Sequence, residues 1–268
     1  MKIKKAVLPV AGVGTRFMPV AKVVPKELLP IVDKPVIQYL VEEAVNSGIE
    51  EIIFVIAKGK ELIRDHFSPK PELEEFLKSK GKDDILKKVE SIHKMANFKY
   101  VYQDYPYGDG HAVLQAENEI GNEPFLVLFG DDIVKGDVPA AKQLIDNFNG
   151  ESVIAVEKVP MSEISSYGVV DPGEKKDRLC EVKSLVEKPS AKEAPSDLGI
   201  IGKYICPPEI FEALKNADVC KDSECRLIDG FIELSKTQKI WAYLVDGIRF
   251  DTGKPKGLVA ANNAFLEK

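Results

Sequence analysis

The chain has 268 residues, enough to form one large α/β domain or two small ones. Hydrophobic residues make up 44% of it and charged residues 30%, and the formal net charge is −6. This negative balance excludes a surface built to coat nucleic acid, although local lysines can still bind a small anion. No apolar run reaches the ~20 residues of a membrane helix, and no export signal is visible, so we expect a cytoplasmic protein.

The cysteines and histidines do not form a metal-binding pattern. The chain has four cysteines and three histidines. No two cysteines have the Cys-x-x-Cys spacing and the histidines are scattered, so a zinc site is not expected. In a reducing compartment we expect all four thiols to be free, at Cys180, Cys206, Cys220 and Cys225.

The first half of the chain alternates between strand and helix patterns. Buried strands are predicted for KKAVLPVAG, EEIIFVIA, NFKYVYQD and EPFLVLFGDD. Helices are predicted between them, in KPVIQYLVEEAVNSG, from ELEEFLKSKG to IHKMA, and in GHAVLQAENEI. Gly48 ends the first of these helices. The alternation is typical of an α/β protein with a Rossmann-like, mostly parallel sheet flanked by helices on both faces.

The pattern changes after residue 150. Short strand-like runs follow one another in ESVIAVEKV, YGVVDP, LCEVKSLVEKP and LGIIGKYIC. Helices are then predicted for PPEIFEALKNA, LIDGFIELSK and the last residues, and the strand KIWAYLVD leads into RFDTGKP. Because no Gly/Ser-rich or Pro-rich linker separates the halves, we predict a single domain with a mixed sheet and a smaller α+β lobe.

AVLPVAGVGTRF, residues 6–17, places two glycines and an arginine after the first strand. A dinucleotide-binding loop requires a third glycine where Phe17 stands, and an acid where the second strand ends in Ala57 and Lys58. The Gly-Lys-Ser/Thr ending of a Walker loop is also missing, so both of these nucleotide-binding loops are excluded. What remains is a loop whose backbone N–H groups and Arg16 suit phosphate oxygens, or else a tight turn with a surface arginine.

Charged residues that suit phosphate and metal chemistry follow along the chain. Lys26, after Pro25, is either a second phosphate-binding cation or a solvated side chain. Asp131 and Asp132 follow a buried strand, where open α/β sheets bind ligands. Paired carboxylates there suit Mg²⁺ or, alternatively, cap a helix. Asp251, in the turn of RFDTGKP, is a second metal ligand or an Asx turn.

The stretch GVGTRFMPVAKVVPKELLP, from Gly12 to Pro30, resembles the signature of the sugar-1-phosphate nucleotidyltransferases. That signature consists of Gly-x-Gly-Thr-Arg, a spacer, and Pro-Lys with an apolar pair before a proline. Further stretches resemble the bacterial UTP–glucose-1-phosphate uridylyltransferase branch: DKPVIQYLVEEAVNSGIEEI, GDGHAVLQA, SSYGVVD, VEKP and DLGIIGKYI. The resemblance extends from Lys4 to about Phe265.

The resemblance implies a nucleotide site in residues 1–150. The residues implied in nucleotide binding are Ala11, Gly12, Gly14, Gln103 and Gly108. Ala11 and Gly12 would lie against the uracil, with Gln103 and Gly108 at its edge. The residues implied in catalysis are Arg16, Lys26, Asp131 and Lys188. The arginine and the first lysine would bind the triphosphate, and a packing or hydrogen-bonding role is expected for His111.

The resemblance implies a sugar-phosphate site, with the C-terminal helix, in residues 151–268. Gly168, Glu187 and Lys188 would hold glucose 1-phosphate, although the Glu-Lys pair alone indicates only a surface ion pair. Asp131 and Asp251 would bind Mg²⁺ as the cofactor. The smaller lobe would thus be the sugar-binding lobe.

The activity that the resemblance implies is uridylyl transfer from UTP to glucose 1-phosphate, giving UDP-glucose and pyrophosphate. A sugar-phosphate oxygen would attack the α-phosphorus in line with Mg²⁺ assistance, so no covalent intermediate and no general base are expected. Two alternatives stay open: a nucleotidyltransferase for another pair, such as dTTP, and a catalytically silent relative that binds sugar nucleotides. Neither nucleic acid nor a membrane is expected as a partner. The resemblance implies assembly as a homodimer or homotetramer.

The sequence departs from the family pattern in two places. Val20-Ala21-Lys22 stands where Ala-Thr-Lys is usual. In DSECRLID, residues 222–229, Cys225 and Arg226 are unexpected. The contribution of this segment to sugar binding is therefore open.

Overall fold

The computed structural model describes residues 2–217, 220 and 224–266. The strands are β1 Lys5–Pro9, β2 Pro30–Ile31, β3 Lys34–Pro35, β4 Glu51–Ile56, β5 Asn97–Tyr102, β6 Phe125–Leu128, β7 Asp132–Lys135, β8 Ser152–Lys158, β9 Gly168–Lys176, β10 Leu179–Glu187, β11 Leu198–Cys206, β12 Ile240–Leu244 and β13 Ile248–Asp251. The helices are α1 Val36–Asn46, α2 Glu61–His66, α3 Pro71–Ser79, α4 Asp83–Ile92, α5 Asp109–Leu114, α6 Glu117–Ile120, α7 Ala140–Asp146, α8 Ile210–Asn216, α9 Leu227–Leu234 and α10 Pro255–Leu266.

Nine of the strands form one sheet in the order β5-β4-β1-β6-β11-β8-β12-β10-β9. The pairs among β5, β4, β1 and β6 are parallel, as the alternation of strands and helices predicts. Beyond β6 only the pair β8–β12 is parallel, and the other pairs run antiparallel. The sheet is therefore mixed, and the expectation of a mostly parallel sheet holds for the first half of the chain only. The reason is the short connections: β9 and β10 are joined by two residues, which permits only an antiparallel pair.

The strands of the second half extend this same sheet instead of forming a sheet of their own. The change of pattern after residue 150 thus marks a change of strand direction. Two small ribbons complete the strand pairing, β2–β3 and β13–β7. The second ribbon places Asp251 opposite Asp132, across more than a hundred residues of chain.

Alternate strand residues pack into two buried clusters, one on each face of the sheet. In β1, Val7 belongs to one cluster and Leu8 to the other. Helix α5 adds Val113 to the first cluster, and α1 adds Ile37 and Leu40 to the second. Helices therefore cover both faces, and the carboxyl ends of the four parallel strands are left open at one edge, where α/β sheets bind ligands.

The expectation of four free thiols is wrong for two of them. Cys220 and Cys225 form a disulfide, because the connection between α8 and α9 brings their Cα atoms to 4.2 Å. Cys180 and Cys206 are free and buried in the core. Across the described ranges, no helix has the length and apolarity needed to cross a bilayer.

Candidate active site

Two adjoining cavities lie at the carboxyl ends of the parallel strands. The first cavity is lined by residues that include Ala11, Gly12, Lys26, Gln103, Gly108 and Asp131. The second cavity is lined by residues that include Gly168, Glu187, Lys188, Arg226, Asp251 and Lys254. Asp109 and Phe129 line both cavities, so the two share a wall. The structure thus brings most of the sequence-predicted site residues together at one edge of the sheet.

The loop that follows β1, residues 10–17, is called the opening loop below. It lines the first cavity with Ala11 and Gly12. The N–H of Val10 donates to the carbonyl oxygen of Val55 at 2.9 Å, which continues the β1–β4 pairing to the edge of the cavity. Gly14 has a φ of 72°, and a Cβ there would lie 3.4 Å from the Cβ atoms of Ala21 and Lys26. Its left-handed backbone therefore turns the loop closely against the segment that carries Lys26. Gly14 itself lies outside the cavity walls.

Arg16 is not gathered with the other predicted site residues. It lies in the 3₁₀ turn Thr15–Phe17, which Phe17 anchors by its burial. The arginine side chain is exposed and lies outside both cavity walls. Its charge is nevertheless close enough to act on Lys26.

Lys26 and Asp131 form an ion pair at the floor of the first cavity. The Lys26 Nζ lies 2.5 Å from Oδ2 of Asp131. Burial lowers the pKa of Lys26, but the carboxylates of Asp131 and Glu27 more than offset this, so the pKa is raised above its ordinary value. The lysine therefore carries its positive charge at neutral pH.

Asp131 and Asp251 converge on Gly253. The Thr252 N–H and hydroxyl both donate to the carbonyl oxygen of Asp131 at 2.8 Å. A Cβ on Gly253 would overlap Oδ2 of Asp131 and lie 3.1 Å from Oδ1 of Asp251. Burial raises the pKa of Asp251, but Lys254, 2.9 Å away, and Arg249 outweigh it, so the pKa lies below its ordinary value. The carboxylates of Asp131 and Asp251 thus lie close to one another beside Gly253.

Asp132, the neighbour of Asp131, is bound within the protein. Its Oδ2 accepts from the Gly202 N–H at 2.6 Å, and its Oδ1 accepts from Arg249 Nε at 2.5 Å. Its carbonyl oxygen accepts from the buried Lys203. These donors bind both carboxylate oxygens of Asp132, whereas the carboxylate of Asp251 lies near that of Asp131 beside Gly253.

The loop between β5 and α5, residues 103–108, is held by hydrogen bonds around Gly108. The Gln103 Nε2 donates to the Gly108 carbonyl oxygen at 3.0 Å and lies 2.9 Å from Nδ1 of His111. Burial lowers the pKa of His111, which favours the neutral ring that can accept this hydrogen bond. The hydrogen-bonding role expected for His111 is confirmed.

The unusual segment around Cys225 is bound to this same loop. Positions 222 and 223 lie outside the described residues, whereas 224–229 are described. The Cys225 N–H donates to the Tyr107 carbonyl oxygen at 2.7 Å, and its own carbonyl oxygen accepts from Gly110 at 3.0 Å. The next residue, Arg226, lines the second cavity. The segment therefore borders both cavities instead of lying apart from the site.

Glu187 is held between two cations in the second cavity. It ends β10 opposite Gly168, the first residue of β9. A Cβ on Gly168 would lie 3.2 Å from Oε2 of Glu187, so glycine keeps the carboxylate accessible. Lys188 Nζ and an Arg226 nitrogen lie 3.3 and 3.5 Å from Oε1 of Glu187.

The chain is similar to known proteins over nearly its whole length. A family model described as nucleotidyl transferase matches residues 5–268. The chain belongs to the nucleotidyl transferase family. Within it, the chain is 49% identical over 269 residues to a UTP–glucose-1-phosphate uridylyltransferase of Staphylococcus epidermidis, covering 100% of this chain and 93% of the relative. The Bacillus subtilis protein of that name is 46% identical over 98% of this chain and 91% of its own length.

Solved structures of nucleotidyl transferases share the fold. A UDP-glucose pyrophosphorylase complexed with UDP-glucose matches with a TM-score of 0.89 at 39% identity, covering 99% of both chains. A UTP-bound enzyme from Acinetobacter baumannii matches with a TM-score of 0.92 at 38% identity, covering 98% of this chain and 93% of that one. The mixed α/β fold described above is thus the fold of these transferases.

Several charged residues in or beside the candidate site were not predicted from the sequence. They are Glu27, Lys60, Asp109, Arg249 and Lys254, together with Arg226, which stood out only as unusual. Arg249 and Lys254 flank Asp251 in the sequence, Asp109 follows Gly108 and Glu27 follows Lys26, so nearness to a predicted residue could have pointed to these four. Lys60 lies in a Lys-Gly-Lys-Glu run typical of an exposed turn, and no pattern marks it.

Asp109→Asn is expected to stabilise the transferase at alkaline pH but not at acid pH. Burial raises the pKa of Asp109 from 3.8 to about 6, and Oδ1 accepts from the Leu227 N–H at 2.7 Å. Because the folded-state pKa is raised, ionisation costs the folded protein stability as the pH rises from about 4 to 6, and asparagine removes that cost. We expect the free energy of unfolding to rise by about 1–3 kcal/mol at pH 8, with the gain vanishing near pH 4. Urea unfolding at the two pH values measures this, and an equal gain at both would contradict it.

Proposed function

We propose that the protein transfers a uridylyl group from UTP to glucose 1-phosphate, giving UDP-glucose and pyrophosphate. The observation that carries this proposal is the convergence of Lys26, Asp131 and Asp251 where the two cavities adjoin. The proposal is supported by relatives whose names state this activity and which are 46–49% identical over nearly the whole chain. Solved structures that are described as bound to UTP and to UDP-glucose share the fold.

The first cavity would receive UTP. Ala11 and Gly12 line it and would lie against the uracil, with Gln103 and Gly108 at the edge of the base. The amide nitrogen of Gln103 already donates within the protein, which leaves its Oε1 to accept from the uracil N–H. Gly14 would contribute by shaping the loop. These assignments place the nucleotide site in residues 1–150.

The second cavity would receive glucose 1-phosphate. Gly168 opens access to Glu187, whose carboxylate suits sugar hydroxyls, and Lys188 supplies a cation for the phosphate. The walls of this cavity are formed mainly by residues 151–268, the predicted sugar-binding half, although Asp109, Phe129 and Asp132 come from the first half. The two halves would therefore share the sugar site more than the sequence pattern indicates.

Asp131 and Asp251 fit a Mg²⁺ ion. Their carboxylates approach one another around a position that a single Cβ on Gly253 would fill. Among the described residues no group of three or more acidic, histidine or cysteine side chains forms a metal site, and two suffice for Mg²⁺ when phosphates supply further oxygens. When bound, the ion would offset negative charge on the phosphates.

The residues of the chain would bring together two anions that repel each other. Lys26, now paired with Asp131, would turn its charge to the triphosphate, and Arg16 would close on it from the exposed turn. Lys188 would hold the phosphate of glucose 1-phosphate. One of that phosphate's oxygens then attacks the α-phosphorus of UTP in line, and pyrophosphate leaves on the opposite side. Because the nucleophile is already an anion, positioning and charge supply the catalysis and no general base is needed.

The proposal predicts equal amounts of UDP-glucose and pyrophosphate from UTP, glucose 1-phosphate and Mg²⁺. Product formation by chromatography measures this, with dTTP and galactose 1-phosphate offered in parallel. Faster reaction with dTTP would favour the alternative specificity. No product with any pair, from folded protein that binds UDP-glucose, would favour a silent sugar-nucleotide-binding relative. A homo-oligomer, dimer or tetramer, belongs to the same proposal and rests on the resemblance alone. A cytoplasmic location belongs to it too and rests on the sequence pattern, in which no export signal is visible.

A further inference from the structure

We propose that Glu27 and Lys60 form a buried ion pair that positions Lys26 and the opening loop for the nucleotide. This inference rests on the proposed function, because it concerns how the same nucleotide site is held. Neither residue is assigned a role by the site described above, although Glu27 lines the first cavity. We call these two residues the buried pair.

The buried pair is fully hydrogen-bonded on the lysine side. Lys60 Nζ donates to both carboxylate oxygens of Glu27, at 3.0 and 2.9 Å, and to the carbonyl oxygen of Val10 at 2.7 Å. The three protons of the ammonium group thus have three acceptors. Glu27 is 1% exposed and Lys60 is 9% exposed. Burying two charges is not an efficient way to stabilise a fold, since well-packed apolar side chains do as well or better. A role in positioning accounts for the burial.

The buried pair lies against three segments that carry predicted site residues. Glu27 follows Lys26 in the 3₁₀ turn Lys26–Leu28. Val10, the acceptor on the opening loop, precedes Ala11. Gly130 precedes Asp131, and a Cβ on it would lie 2.7 Å from Val10 Cγ1 and 3.1 Å from Glu27 Cγ. The backbones that carry Ala11, Lys26 and Asp131 therefore meet around this pair.

The pair also determines which carboxylate forms an ion pair with Lys26. Lys26 is attracted by two carboxylates, Asp131 and its own neighbour Glu27. Lys60 donates to both carboxylate oxygens of Glu27. Without Lys60, Glu27 would be a buried, unpaired charge, and Lys26 is the nearest remaining cation of the same turn. Lys60 thus leaves Lys26 available to Asp131 and then to the triphosphate.

The test compares Lys60→Met, Glu27→Gln and the double variant Lys60→Met/Glu27→Gln. We expect Lys60→Met to weaken UTP binding, measured by titration calorimetry, by at least ~10-fold, and to lower kcat/KM for UTP by at least ~30-fold. The KM for glucose 1-phosphate should stay within ~3-fold of the wild-type value, because the second cavity does not contact the pair. The double variant should regain at least ~10-fold of the loss in Lys60→Met, because no unpaired charge remains.

Two further variants separate positioning from general stability. Lys60→Arg retains the charge and the donors and should keep kcat/KM within ~5-fold of wild type. Lys34→Met breaks another ion pair, Lys34 with Glu42, which lies outside both cavity walls, and should not raise the dissociation constant for UTP. If Lys60→Met does not fold, the double variant must match or exceed Glu27→Gln in UTP affinity, and a lower affinity would overturn the proposal.

Other outcomes also overturn the inference. Equal loss for UTP and glucose 1-phosphate would show that the pair serves only the fold. A double variant no better than Lys60→Met would show that the unpaired Glu27 charge does not draw Lys26 away, and it too would overturn the inference. Wild-type protein that binds UTP but makes no UDP-glucose would refute the proposed function, and the binding measurements would still decide on the buried pair.

Discussion

Asp131→Ala is expected to lower turnover at least ~100-fold, on the scale of losing one group that stabilises charge in the transition state. The change removes one of the two carboxylates that converge on Gly253, and it leaves Lys26 without its partner at 2.5 Å. Initial rates of pyrophosphate release, measured with saturating UTP, glucose 1-phosphate and Mg²⁺, test this. The fold should persist, because the contacts that hold this turn are made by the backbone carbonyl of residue 131 and by Thr252.

A matched control for this variant is Asp137→Ala. Asp137 is an exposed aspartate on the segment that follows β7, outside both cavity walls. Its turnover should equal that of the wild-type protein. Activity of Asp131→Ala within a few-fold of this control would show that the carboxylate does not hold the metal.

Gly108→Ala is expected to damage both stability and nucleotide binding. Gly108 has a φ of +106°, and a Cβ there would overlap the backbone carbonyl of Cys225. The clash is with backbone atoms of Cys225 that are hydrogen-bonded to Tyr107 and Gly110. It therefore cannot be relieved by moving a side chain. We expect a loss of about 2–4 kcal/mol in the free energy of unfolding, from backbone strain and overpacking together. The KM for UTP should rise at least ~10-fold, because the Gln103 contact with Gly108 is displaced.

Gly48→Ala separates the two contributions. Gly48 has a φ of +95° after α1, but a Cβ there would meet nothing within 4 Å. It should therefore lose only the ~1–2 kcal/mol of the left-handed backbone and keep the KM for UTP. Urea unfolding and initial rates for both variants measure the difference, and equal stability losses would contradict the close approach of Cys225.

The first half of the fold could be predicted because its signals are local. Strands such as β1 and β4 are buried on both faces, so they appear as continuous apolar runs between helices. Strand direction in the second half is not local. The antiparallel course of β11 depends on its pairing with β6 and β8, which no residue within the strand specifies.

The candidate site could be predicted in part for a similar reason. Asp131 follows a strand in the open sheet edge, and Lys26 belongs to a distinctive motif, so position and pattern point to them. In the sequence, Glu27 and Lys60 are typical of surface residues. Their burial depends on a contact between two segments that lie 33 residues apart in the chain. The expectation that Cys220 and Cys225 are free is wrong, since a spacing of five residues does not by itself indicate a disulfide.

The central claim is direct transfer between UTP and glucose 1-phosphate, and isotope exchange tests it most directly. Labelled pyrophosphate is incubated with the protein, UTP and Mg²⁺, with and without glucose 1-phosphate, and label in UTP is measured. The account predicts exchange into UTP only when glucose 1-phosphate is present, since the α-phosphorus is attacked by the sugar phosphate and by no residue of the chain. Exchange at a comparable rate without glucose 1-phosphate, or no exchange in its presence, would contradict it.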